Sequence, residues 1–467
     1  MSDSQQPSRA GSEPAPRSGK RFYGIAAGLV AASLLAAGIV VAATDGPPGG
    51  SGTSPNILMV IADDFGVDAS PCYDLGEDKP DMPTLESLCG SGLVFDQAWV
   101  NTACTPTRAT FLTGQYGIRT GVGSVDAQLP TSQTTIQRVL AERTDYASAV
   151  IGKWHVGGRP NQVVADHPGR LGVPYYAGFL SGAMEDYRRW PLTVNGQTHE
   201  ETTYATTKFT DLALDWIEEQ DGPWFTWLAY TAPHTPFHLP PAELHSRDDL
   251  TGTPEDIEKR PKEYYFAAAE AMDHELGRLL DGLPDGEREN TTVIFVGDNG
   301  TPQQVVQSYP RGHAKGTVYQ GGVHVPLVVS GASVPRTGER EDALVNGADL
   351  YATMSELAGA TATATGTGTG TGTGDSVSIA PLLTTAGDGG RAYAYTEAFG
   401  QTKRRTGTTA PDVWAIRDSR YKLVHYDDGR EELYDLSDDP LETRNILAEQ
   451  PAAVARLRSQ AENLRRE

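Results

Sequence analysis

The chain is short of cysteine and short of positive charge. Its 467 residues hold three cysteines, Cys72, Cys89 and Cys104. An odd number leaves one thiol over, whichever pair forms. Cys72 and Cys89 could pair with each other in an oxidising compartment, which would leave Cys104 free. Lysine and arginine number 38 against 61 aspartates and glutamates, a formal charge of −23. So acidic a chain excludes nucleic acid as a partner, because phosphate binding needs a basic face. It does not exclude a small anionic substrate, which responds to the local field of its pocket. Apolar residues make up 38% of the chain, which is enough for a globular core. The length suits one large domain and a smaller one.

Residues 1–23 form a polar tail with Lys20-Arg21 near its end. Gly24 to Ala43 is an unbroken run of small and apolar residues, followed by a flexible Gly- and Pro-rich linker over 44–54. A basic flank, an apolar stretch and the small residues Val41-Ala42-Ala43 read as an export signal. The same run is long enough to span a bilayer as a signal anchor, with the basic tail inside. In either case residues 55–467 are expected to work outside the cytoplasmic membrane, secreted or anchored through 24–43.

Four apolar segments each run into residues that can do chemistry. Asn56 to Ala62 has the continuous branched apolar pattern of a strand buried on both faces, and it ends in Asp63-Asp64. Tyr146 to Ile151 is a second strand, followed by Gly152-Lys153-Trp154-His155. Residues two apart in an extended segment face the same way, so Lys153 and His155 can share a pocket with Trp154 opposite. Trp224 to Tyr230 leads into Thr231-Ala232-Pro233-His234-Thr235-Pro236. Prolines on both sides stiffen the loop around His234, a plausible general acid. Thr291 to Val296 ends in Gly297-Asp298-Asn299. In open α/β sheets the carboxyl ends of strands are where ligands bind. Asp63, Asp64, Asp298 and Asn299 would give an all-oxygen ligand set, which suits Ca²⁺ first and Mg²⁺ second and does not suit zinc. Each feature alone also has an ordinary reading, as a turn cap, an exposed loop or a packed histidine.

The stretch Asn101 to Gly114 reads NTACTPTRATFLTG. Thr105 is a good N-cap and Pro106 suits a first helical position, so a helix is predicted through Arg108 to about Thr113, with Cys104 just before it. A helix start offers free N–H groups and partial positive charge to an anion, and Arg108 adds a full charge. The Cys-x-Pro-x-Arg spacing with its Leu-Thr-Gly run resembles the signature of the sulfatase family. So do Gly-Lys-Trp-His and, with departures, the segment from Arg311 through Lys315 to His324. There Gln320 stands at the usual Glu, His324 at the usual Arg, and the Arg-Gly to Lys spacing is longer by one residue. Beyond a Thr/Gly low-complexity loop at 361–374, the short strands Val413–Arg417, Tyr421–Tyr426 and Glu432–Leu436 and a helix from Ala452 also resemble the family's C-terminal region.

The resemblance covers about Pro55 to Leu447. It implies an α/β fold like that of alkaline phosphatase: a large mixed, mostly parallel sheet flanked by helices. A catalytic domain over 55–360 would be followed by a C-terminal α+β subdomain over 375–467, built on an antiparallel sheet. It implies a hydrolase of sulfate monoesters whose Cys104 is converted by a formylglycine-generating enzyme into formylglycine. The aldehyde's hydrate would be the nucleophile. Residue 104 would join Asp63, Asp64, Asp298 and Asn299 around a divalent cation, with Arg108, Lys153, His155, His234 and Lys315 as the other catalytic groups. The substrate would be a small or carbohydrate sulfate ester. Phosphonate monoester or phosphodiester hydrolysis on the same fold, and an inactive surface binding protein, remain as alternatives.

Overall fold

The computed structural model describes residues 54–360, 374–387, 390–400 and 410–466. The expected tail, signal or anchor and most of the linker, and the Thr/Gly loop over 361–373, lie outside the described residues. Among the described residues, no helix is long and apolar enough to cross a membrane.

Among the described residues, fourteen strands form two sheets. The strands are β1 Asn56–Ala62, β2 Gly92–Trp99, β3 Ala147–Lys153, β4 Tyr175–Phe179, β5 Trp190–Val194, β6 Gln197–Glu201, β7 Trp224–Ala229, β8 Thr291–Gly297, β9 Leu327–Gly331, β10 Glu339–Asn346, β11 Ala394–Ala398, β12 Val413–Arg417, β13 Tyr421–Tyr426 and β14 Glu431–Asp435. Ten of them make one sheet in the order β10-β2-β9-β8-β1-β7-β3-β4-β5-β6. Its centre, β8 to β4, is parallel throughout. The antiparallel pairings come from β9, on either side of it, and from the β4-β5-β6 end.

β1 is buried along its whole length. Its alternate residues feed two separate cores, as the period of a strand requires. Leu58 and Val60 join a core with Leu85, Phe209, Phe266 and Met272. Ile57, Met59 and Ile61 join another with Phe111, Leu112, Leu140 and Met354. The helices Pro83–Ser91, Ala205–Glu218 and Pro261–Asp281 therefore cover one face, and Cys104–Thr113, Ile136–Arg143 and Asp349–Leu357 the other. Cys72 and Cys89 are joined as a disulfide, with Cα atoms 6.3 Å apart.

The second sheet, β11-β12-β13-β14, is antiparallel throughout. The C-terminal helix Pro451–Arg466 lays Val454, Leu457 and Ala461 against one face, with Trp414, Ile416 and Leu423. The other face packs Ala415, Val424 and Tyr434 against Trp99, Val318 and Val323 of the larger body. The small sheet thus braces the segment that follows Lys315.

Candidate active site

The register of the parallel strands builds the site. Ala62 pairs with Gly297, Ile61 with Ala229, and Ala229 with Gly152. The residues that follow these positions consequently emerge together at one edge of the sheet. Asp63-Asp64, Asp298-Asn299, Lys153 and the loop bearing His234 meet there. All are buried, from 0% exposure at Asp63, Lys153, Asp298 and Asn299 to 8% at His234.

Cys104 arrives from outside the sheet, on the helix Cys104–Thr113. The helix begins at Cys104 itself, two residues before the Pro106 start that the sequence suggests. Ala103 occupies the N-cap position with extended backbone and no side-chain cap. Thr105 is not the cap, because its Oγ1 accepts the N–H of Asp126 at 3.3 Å. Lys153 Nζ lies 3.5 Å from Cys104 Sγ and is paired with Asp63 Oδ2. Arg108, fully buried one turn along, donates through Nε and Nη2 to Asp298 Oδ2 at 3.0 and 2.8 Å, and through Nη1 to the Lys153 carbonyl at 2.7 Å. This guanidinium therefore ties the helix to the ends of β8 and β3 at once.

Lys315 closes the cluster from the far side. Its Nζ donates to Asp64 Oδ2 at 2.6 Å, and its N–H bonds the Thr301 carbonyl at 3.1 Å. His234 Nε2 lies 3.7 Å from Asp64 Oδ2, while its Nδ1 is 2.6 Å from the Thr235 carbonyl. Nδ1 therefore carries the hydrogen and Nε2 faces the acid. Tyr187 fixes this loop by donating to the carbonyls of His234 and Thr231 at 2.8 and 3.1 Å. His155 meets a different acid, with Nε2 3.3 Å from Asp126 Oδ1. Its φ of 55° breaks the extended run expected from Lys153 to His155. Trp154 turns into the core and donates to His167 Nδ1 at 3.0 Å.

Burial and charge set the protonation states. Burial opposes ionisation of Asp64, but Lys315, His234 and Lys153 outweigh it and hold the carboxyl well below its usual range. Burial and the charge of Asp63 push Asp298 up to about 6 in spite of Arg108. Burial pushes the Cys104 thiol up to about 12, although Lys153 pulls the other way. It lowers His234 to about 3 against the pull of Asp64, so the resting imidazole is neutral.

The cluster could hold a metal ion. Asp63, Asp64, Cys104 and His234 each offer an atom, and these atoms lie within 4.8 Å of one another. Asp298 lies outside that tightest group but accepts the Asp64 N–H through Oδ1 at 3.1 Å. Among the described residues, Asp63 Oδ1 and Asn299 Oδ1 are buried without a hydrogen-bond donor. Asn299 spends its amide N–H groups on Asp64 Oδ1 and the Gly300 carbonyl, at 2.8 and 3.1 Å. Buried oxygens left without donors are costly unless something positive satisfies them.

Three contributors escaped the sequence reading. Asp126 and Tyr187 sit in irregular segments with no signature. Asp68 accepts from Thr301 Oγ1 and holds the backbone that carries Lys315. Gln320 and His324 serve packing: Trp99 Nε1 donates to Gln320 Oε1 at 2.6 Å, and His324 Nε2 lies 2.9 Å from the Asp96 carbonyl.

The sulfatase family model matches residues 55–360, and a model described as the C-terminal part of N-sulphoglucosamine sulphohydrolase matches 312–467. Human N-acetylgalactosamine-6-sulfatase is 27% identical over 353 residues, 67% of this chain and 63% of that protein, so less than two thirds of the relative is spanned. Human arylsulfatase A is 27% identical over 475 residues, 88% of this chain and 85% of its own. Among solved structures, Ps i-CgsB with a neocarrahexaose superposes with a TM-score of 0.70 at 23% identity, over 88% of this chain and 93% of that one. BT4656 with its substrate D-glucosamine-2-N,6-O-disulfate gives 0.69 at 22%, over 89% and 98%. At these identities the structural matches speak for the fold.

Proposed function

The chain belongs to the sulfatase family, and from that premise we propose that it hydrolyses sulfate monoesters using a formylglycine made from Cys104. The observation that carries this reading is the setting of Cys104. It is the buried free cysteine among the described residues, at a helix start, within 4.8 Å of donor atoms from Asp63, Asp64 and His234. A thiol pushed up to about 12 is a poor nucleophile at neutral pH. Its oxidation to an aldehyde, which hydrates, would put two hydroxyl groups where Sγ now stands.

A divalent cation, Ca²⁺ first and Mg²⁺ second, would be held by Asp63, Asp64, Asp298 and Asn299 together with residue 104, and would supply positive charge to the transferring sulfuryl oxygens. The protein's own groups do the rest. One hydroxyl of residue 104, oriented by Arg108 and Lys153, attacks sulfur and gives up its proton to water as the S–O bond to the alcohol breaks. Lys153 and Lys315 offset charge on the sulfuryl oxygens, a fixed arrangement that needs no reorganisation during reaction. An anionic ester in the pocket favours a proton on His234 Nε2, and His234, beside the protonated Lys315, delivers it to the departing alcohol. His155 then takes the proton of the remaining hydroxyl, the carbonyl re-forms and sulfate leaves. The relatives include an N-acetylgalactosamine-6-sulfatase, and a sulfated sugar is the substrate class we propose.

A tryptic peptide spanning Cys104 from active protein should lack an intact thiol and react as an aldehyde. Cys104→Ala should abolish turnover of an aryl sulfate. An unmodified thiol in fully active enzyme would refute the reading. Faster turnover of an aryl phosphonate ester than of the aryl sulfate would move the protein to the phosphonate and phosphodiester hydrolases of this fold.

A further inference from the structure

Asp126 lies outside every motif the sequence offers, yet its carboxylate meets the ring of His155, with Oδ1 3.3 Å from Nε2. A carboxylate only accepts, so Nε2 carries the ring hydrogen in this contact. That leaves Nδ1 as the basic nitrogen. Among the described residues Nδ1 is buried without a hydrogen-bond partner. A buried imidazole nitrogen is normally satisfied, so an unsatisfied one on a residue two along from Lys153 marks the place of something that comes and goes.

The backbone holds this pair deliberately. Asp126 has a φ of 60° and His155 one of 55°, the left-handed region that side chains other than glycine rarely occupy. Two such residues facing each other concentrate strain at one contact. The Asp126 N–H is fastened to Thr105 Oγ1, directly beside Cys104. A bridge between Gln128 and Gly157 and the bond from Leu129 N–H to the Val156 carbonyl lock the two segments side by side. A Cβ at Gly182 would come 2.1 Å from Nε2, so only glycine leaves the imidazole its space. Burial, helped by Lys153 and Arg108, lowers His155 to about 3, and the bond to Asp126 is the largest influence in the other direction.

We propose that Asp126 is a positioning residue: it fixes His155 with hydrogen on Nε2, so that Nδ1 can accept the proton of residue 104's second hydroxyl and let sulfate leave. This rests on the formylglycine reading above. In the step, the O–H proton passes to Nδ1 and the O–H electron pair becomes the new C=O bond. The C–O bond to the sulfuryl group breaks, and sulfate departs with those electrons. Water then adds across the aldehyde to restore the hydrate.

The assignment separates the two halves of the reaction, and so does its test. Asp126→Asn and Asp126→Gly both tolerate a positive φ, so either protein should keep the loop. Full-length protein with verified aldehyde content is mixed with an aryl sulfate and quenched rapidly. Both variants should release the first equivalent of phenol at nearly the wild-type rate. Their steady-state kcat should then fall roughly 10–100-fold, with KM falling in parallel. The peptide containing residue 104 should accumulate the mass of a sulfuryl group. Unchanged kcat and KM in aldehyde-bearing variants would overturn the proposal, as would equal loss of the first turnover and the steady state. Wild-type protein that turns over the ester without any aldehyde would instead overturn the formylglycine reading itself.

Discussion

At the scale of the residue, side chains far apart in sequence are judged by what they do to one another. His234 shows how. Its imidazole is neutral at rest, fixed by Thr235, and close to the Lys315–Asp64 pair. A group that protonates a leaving oxygen matters most when that oxygen is a poor leaving group. His234→Ala should therefore cost roughly 10²–10⁴ in kcat/KM on an alkyl or sugar sulfate, and much less on a nitrophenyl sulfate. Equal losses on both would reduce His234 to holding Asp64. The cation makes a separate prediction. Asp63 Oδ1 and Asn299 Oδ1 lack donors, and burial with the charge of Asp63 keeps Asp298 up at about 6. A bound divalent ion would relieve all three. Adding Ca²⁺ to metal-stripped protein at about a hundred times its dissociation constant should stabilise the fold by about 2.7 kcal/mol, read as a rise in Tm. Asn299→Ala should lose most of that rise, and a Tm indifferent to Ca²⁺ and Mg²⁺ would count against the site. These residues were legible in the sequence because each follows a strand with an unmistakable apolar pattern. Asp126 was not, because its position depends on a left-handed turn and on a partner 29 residues away.

At the scale of the element, legibility followed burial. β1, β7 and β8 are buried on both faces and read as uninterrupted apolar runs. β10, Glu339–Asn346, begins with exposed charged residues, pairs only with β2, and shifts register between Glu341 and Leu344. Its sequence carries no strand period over its first half. The stretch from Pro160 to Asn195 contains β4 and β5, whose order comes from pairing with β3 and with β6. The helix Cys104–Thr113 shows the same competition at its ends. Thr105 has the chemistry of a cap, but the Asp126 N–H takes its oxygen and the helix starts two residues sooner. Its other end is set by Gly114, left-handed at φ 67°, whose N–H returns to the Thr110 carbonyl. A Cβ there would come 3.0 Å from the ring of Tyr351. Gly114→Ala should cost about 1–2 kcal/mol from the backbone alone, more if Tyr351 cannot yield. Thermal unfolding should register the loss, while kcat per aldehyde-bearing site stays near wild type. Undiminished stability would mean that the helix end relaxes.

At the scale of the whole molecule, the small sheet bears on the chemistry through one buried ion pair. Lys422 on β13 and Glu442 are both fully buried, with Nζ 2.5 Å from Oε1. Lys422 Nζ also lies 4.9 Å from the centre of the Trp99 ring and 5.6 Å from that of Tyr319. Glu442 accepts the N–H of Gln320, whose side chain accepts from Trp99. One pair thus joins the second sheet, the end of β2 and the segment after Lys315. The resemblance places a Glu at position 320 in relatives. Here a neutral Gln fills that place, and its N–H meets the carboxylate of Glu442, 122 residues later in the chain. Two charges taken out of water are stable only together, so removing one leaves the other without compensation. Lys422→Met should cost roughly 3–5 kcal/mol, whereas Lys422→Met combined with Glu442→Gln should recover much of it, because Gln keeps an acceptor for the Gln320 N–H. The Tm of the single and double variants measures this coupling. If the pair also holds the Lys315 segment in place, Lys422→Met should lower kcat on an aryl sulfate at temperatures where the protein remains folded, and the double variant should restore it. Costs that simply add would mean that the two sheets are held by their apolar faces, with the ion pair incidental to the site.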